Sequence, residues 1–302
     1  MDPRSAFADC LGCTGPLPLT PASGDLISRD RTLIIGVLNI TPDSFSDGGL
    51  YSNLDTALRQ AHQMAENGAH VFDIGGESTR PATFGDHSPL PAAEELARVL
   101  PVIKRLSADL PQIPISVDTY KAEVARAALG AGAAIINDIS GLTYDSGMAP
   151  LAAEHGVPVI VMHLLGSPRD IPLNPVYADV IADINAFFDR QIAYALSCGV
   201  RRDQIWLDPG IGFGKTVQHN LEILRRLSEF QTYNLPLVVG ASRKRFLGHI
   251  LGTDDPNDRK EGTAATVALS IAAGAAAVRV HDIYEMARVA KVSDAIVRGW
   301  QG

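Results

Sequence analysis

Cysteine is scarce in this 302-residue chain: three in all, too few for a disulfide framework, and a number that suits a reducing cytosol. Cys10 and Cys13 have CxxC spacing but stand in a Pro/Gly-rich segment with no second pair, so the spacing reads as coincidence rather than as a metal or redox site. Long apolar runs are missing too. No window reaches the ~18 continuous apolar residues of a membrane span. Residues 1–30, with four prolines and three glycines, lack the apolar stretch of a secretory signal and do not read as a transit peptide. Positive charge is in deficit, 26 Lys and Arg against 34 Asp and Glu, a net charge of −8. That balance speaks against a nucleic-acid coat or an anionic-membrane binder. No HExxH and no cysteine cluster accompany the histidines, which argues against a catalytic zinc. What remains is a chain that is 46% hydrophobic, with ample core material and no case for global disorder, expected in the cytoplasm.

From Arg31 onward two kinds of segment alternate. Short β-rich runs recur at Leu33–Asn39, Val71–Ile74, Ile113–Asp118, Ile135–Asp138, Val157–His163, Ile205–Asp208, Leu237–Gly240 and Ala277–His281. Most are continuous apolar runs, as expected of parallel strands covered on both faces. Helical periodicity fills the gaps: Leu54, Ala57, Leu58, Ala61, Met64 and Ala65 fall on one face, and Gly68 follows as a stop. Eight strand–helix units spell a parallel α/β fold, and eight is the number that closes a barrel. An open doubly wound sheet would also alternate. The polar residues favour closure, because Asn39, Asp73, Asp118, Asn137, His163, Asp208, Ser242 and His281 all fall at or just past a strand's C-terminal end, the face on which barrel active sites are built. The expectation is a (β/α)8 TIM barrel over residues 31–302 as one domain. Residues 1–30 would be an irregular extension that adds no strand.

Several motifs carry the chemistry. GVLNITPDSFSDGG (Gly36–Gly49) and FDIGGESTRP (Phe72–Pro81) are strands running into turn-rich loops longer than ordinary connections, about Ile40–Ser52 and Gly75–Pro91. Asp73 and Glu77 read equally well as structural hydrogen-bond acceptors. DPGIGFGKT (Asp208–Thr216) is not a phosphate loop, since three residues, not four, separate Gly210 from Gly214. GASRKRF (Gly240–Phe246) gathers three cations after strand seven, at least one of which reads as merely solvated. RVHD (Arg279–Asp282) sets Arg279 and His281 on one side of strand eight. An Arg inside an apolar run needs a partner or a ligand, and loops after strands seven and eight are frequent phosphate sites in barrels, so an anionic substrate is expected there.

Together with ISVDTYK and INDISG, these motifs resemble the dihydropteroate synthase family over about Leu33–Val297. The resemblance implies a barrel that joins 6-hydroxymethyl-7,8-dihydropterin diphosphate to p-aminobenzoate with release of pyrophosphate. It implies Mg²⁺ held with the help of Asn39, and a pterin among Asp118, Asn137, Asp208 and Lys244 with Met162 on its ring. Arg279 and His281 would meet the diphosphate and Thr79 its end, while Arg80, Pro81, Phe213 and Ser242 would lie near p-aminobenzoate. It further implies SN1-like departure of diphosphate, with Asp118 and Asp208 stabilising the cation. Sensitivity to sulfonamide inhibitors, Phe45 included in the matching pattern, and a homodimer built through C-terminal helices complete the set. Three rivals bear on the same residues: a methyltetrahydrofolate methyltransferase, which has no diphosphate to grip; a Schiff-base aldolase using Lys244; and a paralogue that binds pterins without turnover.

Overall fold

The computed structural model describes residues 26–28, 30–41, 50–77, 90–168, 170–172 and 174–300, with 50–53 as backbone only. The Cys10–Cys13 pair, Phe45 and the Thr79, Arg80 and Pro81 segment lie outside the described residues. Eight strands alternate with helices: β1 (Leu33–Asn39), α1 (Leu50–Glu66), β2 (Val71–Gly75), α2 (Ala92–Asp109), β3 (Ile115–Asp118), α3 (Ala122–Gly130), β4 (Ile135–Asp138), α4 (Met148–His155), β5 (Val159–Met162), α5 (Val180–Ser197), β6 (Ile205–Asp208), α6 (Val217–Arg225), β7 (Val238–Val239), α7 (Arg245–Leu251), α8 (Lys260–Ala272), β8 (Ala277–Val280) and α9 (Ile283–Arg298). All strand pairs are parallel and follow chain order from β1 to β6, with β1 against β8 and β8 against β7. The ring closes where Leu207 bridges Leu237 and the Leu207 amide donates to the Pro236 carbonyl at 2.9 Å. The expected barrel is the observed architecture.

The pleat explains why the strands read as unbroken apolar runs. Alternate residues point outward to the helices and inward to the barrel. Outward residues such as Ile34, Phe72, Ile74, Val117, Ile136, Val159, Leu207 and Val278 join the large core beneath the helices. Inward residues Leu33, Ile35, Val71, Ile135, Ile160, Trp206, Val238 and Ala277 form a separate apolar plug, against which Leu26 and Ile27 pack. Those two residues lie in the segment read as irregular, and their contact caps the plug. Gly36 lets α1 come close, because a Cβ there would stand 2.3 Å from the Met64 methyl.

Some boundaries differ from the sequence reading. β7 shrinks to two residues, β5 starts at Val159 and stops short of His163, and β3 begins at Ile115. Pro114 and Pro158 precede β3 and β5 and lack the amide a ladder needs. α1 begins at Leu50, inside the expected Ile40–Ser52 loop. Helix ends are capped by short polar side chains where the chain supplies them: Asp179 accepts from the Ile181 and Ala182 amides, and Thr216 pairs reciprocally with His219.

Candidate active site

Two residues beyond the apolar plug, along the same strands, the inward side chains change character. Asp118, Asn137, Met162, Asp208 and Arg279, with Gly240, line one pocket together with Ile139, Ile211, Phe213 and Lys244. Strand polarity brings these residues to the barrel's C-terminal end, although they lie up to 161 positions apart in the chain.

Arg279 is the hub. Its Nε donates to Asp73 at 2.6 Å and one Nη donates to Asp118 at 2.7 Å. Asn137 Nδ2 donates to the same Asp73 oxygen at 3.1 Å, leaving Asp73 Oδ1 buried with no hydrogen-bond partner. Burial acts against the guanidinium's charge, but Asp73 and Asp118 more than offset it and raise its pKa. Desolvation pushes the Asp118 carboxyl up to about 7; Arg279 opposes the rise, while Asp73 and Glu95 add to it. Desolvation also raises Asp208, whose Oδ1 accepts from the Gly210 amide at 2.7 Å. Lys244 is lowered to about 8 by desolvation and by Arg279, and its ammonium lies 3.9 Å from the centroid of the Phe213 ring. Carboxylates and cations thus interleave around one cavity, with an apolar face supplied by Met162, Ile139 and Phe213. A flat heterocycle that is rich in donors and acceptors on one edge matches that lining.

The cations after strands seven and eight do not all face one point. Arg243 is bound to Asp282 through two hydrogen bonds of 2.9 and 2.6 Å, which joins the GASRKRF and RVHD segments. Arg279 faces carboxylates first, and its remaining N–H donors are what an anion would meet. The need for a partner was visible in the sequence; the partners were not. His281 sits with Nδ1 3.0 Å from Ser242 Oγ, which also accepts the His281 amide at 3.2 Å. Ser242 is therefore engaged with His281. Although part of the His281 residue meets solvent, desolvation and the cations Arg279, Arg243 and Lys244 hold its imidazole down at about 3. It is therefore neutral at pH 7 in the free protein. β1 and β8 pair as expected, but their last rung is Gly36–Val280, three residues before Asn39. Asn39 projects, exposed, from the end of β1.

Two features escaped the sequence reading. Lys215, at the end of the glycine-rich segment after β6, packs its ammonium against His163, with Nζ 3.0 Å from Nδ1. Desolvation lowers it to about 7 and lowers His163 to about 2. Glu77 accepts from Tyr120 at 2.8 Å and from Lys121 at 2.6 Å, and Lys121 also pairs with the buried Glu95. A lysine flanked by glycine and threonine beside two strand-end polar residues was the available signal for the first. The second joins three segments; Glu77 was read as a possible structural acceptor, but nothing in the sequence marked Tyr120 and Lys121 as its partners.

Residues 35–281 match the model of the pterin binding enzyme family. The chain is 48% identical to the dihydropteroate synthase of Synechocystis sp. over 268 residues, covering 89% of this chain and 91% of that protein. Among solved structures it is similar to Clostridium difficile dihydropteroate synthase determined in the presence of pteroic acid, at 46% identity and a TM-score of 0.82, covering 89% and 97% of the two chains. The Yersinia pestis enzyme in complex with a sulfonamide drug matches at 41% identity and a TM-score of 0.81, covering 88% and 94%.

Proposed function

The chain belongs to the pterin-binding enzyme family, and from that premise we propose that it is a transferase that condenses 6-hydroxymethyl-7,8-dihydropterin diphosphate with p-aminobenzoate, yielding 7,8-dihydropteroate and pyrophosphate in folate biosynthesis. One observation carries the reading: Asp118, Asn137, Asp208 and Lys244 converge on a single pocket whose walls include Met162 and Phe213. Asp118 and Asp208 accept from the pterin's amino and ring N–H groups, Asn137 and Lys244 donate to its acceptors, and Met162 lies against the ring. The C–O bond to the diphosphate breaks, and the arylamine nitrogen then bonds to the methylene carbon and loses a proton. Buried carboxylates beside that carbon stabilise positive charge as it develops.

Arg279 and His281 receive the departing diphosphate in this reading, Arg279 with the donors that Asp73 and Asp118 leave unused. Thr79 would meet the diphosphate end, and Arg80, Pro81, Phe213 and Ser242 the p-aminobenzoate side. Asn39 offers one exposed amide oxygen at the barrel mouth. That suits Mg²⁺, which takes most of its ligands from substrate phosphates and water. When bound there with the substrate, Mg²⁺ would neutralise the leaving group's charge.

Pyrophosphate release that requires both substrates is the direct test; release with pterin diphosphate alone, or none, counts against the assignment. Sulfonamides should compete with p-aminobenzoate, and excess p-aminobenzoate should relieve them. Calorimetry of Arg279→Lys with the pterin diphosphate and with the bare pterin isolates the anion role, because a point charge replaces a planar fork. Equal losses for both ligands would make Arg279 purely structural. We place the protein in the cytoplasm as a homodimer, residues 31–302 forming one domain. α8 and α9 leave Leu269, Val292 and Ile296 exposed, an apolar surface suited to pairing. A monomer in sedimentation at micromolar concentration would remove that part.

A further inference from the structure

The segment between β6 and α6 holds the pocket's aromatic wall but has little stiffness of its own. Gly210, Gly212 and Gly214 all have left-handed backbones, with φ of 69°, 81° and 59°, and they bracket Ile211 and Phe213. Its shape is imposed by ties to its surroundings. The Gly212 amide donates to Asn220 Oδ1 at 2.7 Å, and the Tyr177 hydroxyl donates to the Gly214 carbonyl at 2.9 Å. Lys215 makes the tie nearest the ring: its Nζ donates to the Phe213 carbonyl at 3.0 Å and to the His163 carbonyl at 3.3 Å, besides its contact with His163 Nδ1. The ammonium therefore joins the end of β5 to the Phe213 backbone.

Lys215 makes no ion pair among the described residues, and it does not line the pocket. Its direct hydrogen-bond acceptors are neutral and the Asp208 carboxylate is its nearby counter-charge, yet burial of the ammonium outweighs that attraction, so the position is held at a cost. The same segment packs on Lys244: a Cβ at Gly212 would meet the Lys244 chain at 2.9 Å, and the Phe213 ring lies under the Lys244 ammonium.

We infer that Lys215 is a positioning residue for the arylamine half of the site, fixing the Phe213 backbone so that the ring stays against Lys244 and forms the wall for p-aminobenzoate. The inference rests on the pocket reading given above for its ligands. Lys215 touches neither substrate; it acts through Phe213. Removing it should weaken arylamine capture while leaving the pterin-holding residues in place.

The test has one readout that needs no turnover. In protein labelled with ¹³C-lysine, the Phe213 ring should move the Lys244 ε-methylene signal upfield, and Phe213→Leu identifies that signal by abolishing the displacement. Lys215→Met should also abolish it, raise KM for p-aminobenzoate about tenfold, and leave the affinity for bare pterin within about twofold. Lys215→Arg keeps the charge and donors and should recover part of both. If Lys215→Met does not fold, Lys215→Gln is read the same way. A displacement that survives in Lys215→Met, or one that is lost with KM unchanged, overturns the inference, as does an equal loss of pterin affinity. Should the wild type release no pyrophosphate while the displacement still depends on Lys215, the substrate assignment fails and the backbone tie stands.

Discussion

The inner wall of the barrel has two storeys built from the same strands. Val71, Ile135, Ile160, Trp206, Val238 and Ala277 make the lower one; Asp73, Asn137, Met162, Asp208, Gly240 and Arg279, each two residues further along, make the upper. Apart from Gly240, which lies just past β7, the upper residues continue the same strands, so the difference lies mainly in side-chain chemistry. The lower storey contributes stability by removing apolar area from water, roughly 25 cal/mol per Å². In the upper storey Asp73, Asp118 and Asp208 lie against Arg279 and Lys244, and burial works against every charge. Desolvation there lifts Asp118 to about 7 and lowers Lys244 to about 8. Such an arrangement is held for what it binds, and the lower storey supplies the stability that allows it.

The contrast can be broken most severely at Arg279. Arg279→Met leaves Asp73 and Asp118 buried without their cation and should cost about 3–5 kcal/mol in denaturant unfolding at pH 7. A loss below about 1 kcal/mol would mean the upper storey is not a coupled network. Ile160 and Met162 sharpen the comparison within one strand. Ile160→Ala should lose about 2–4 kcal/mol of stability with pterin affinity unchanged. Met162→Ala should be the smaller structural loss and weaken pterin binding about tenfold, since it removes the contact with the ring. If the two substitutions have the same profile, the storeys do not divide their work.

Next comes pH. A carboxyl raised to about 7 holds its proton in the folded protein where the unfolded chain has released it, so Asp118 makes folding less favourable as pH rises from about 4 to 7. Binding runs the other way. The ionised carboxylate is the better acceptor, and affinity for bare pterin should rise toward pH 7, by at most about tenfold per pH unit, before levelling above it. Asp118→Asn should flatten that profile; a profile of unchanged slope would place the titration elsewhere. The smallest expected effect is Ser242→Ala, about 1 kcal/mol, which frees the His281 ring and should reduce diphosphate binding more than pterin binding.

The architecture was legible because strand ends are local facts. β1, β4 and β6 have the bounds that their apolar runs suggested, and the strand-end polar residues pointed to closure. β7 was overread because Leu237–Gly240 looks like a strand, yet only Val238 and Val239 form it, with Leu237 adding a single bridge to Leu207. Asp118, Asn137, Met162, Asp208, Phe213, Lys244 and Arg279, which the resemblance assigns to substrates, line one pocket. Pairing could not be read: Asp73 and Arg279 stand 206 residues apart, and nothing local says that the guanidinium meets carboxylates before it meets an anion. Lys215 was passed over because its segment was weighed as a phosphate loop and for Asp208 and Phe213 alone. Its role lies in backbone carbonyls, which every residue has and no motif marks.

One joint of the ring is weaker than the rest. β1 and β2 share five rungs, whereas β6 and β7 meet at a single bridge between Leu207 and Leu237. Local opening should begin at that seam, with the Leu207 amide exchanging its hydrogen sooner than those of β1. Asp208 ends the strand on one side of the seam and Lys244 follows the strand on the other. A ligand that spans them acts as a staple across the gap, and its binding free energy is added to the work of parting the two strands. The joint expected to part first is thus the one that a bound ligand would hold together.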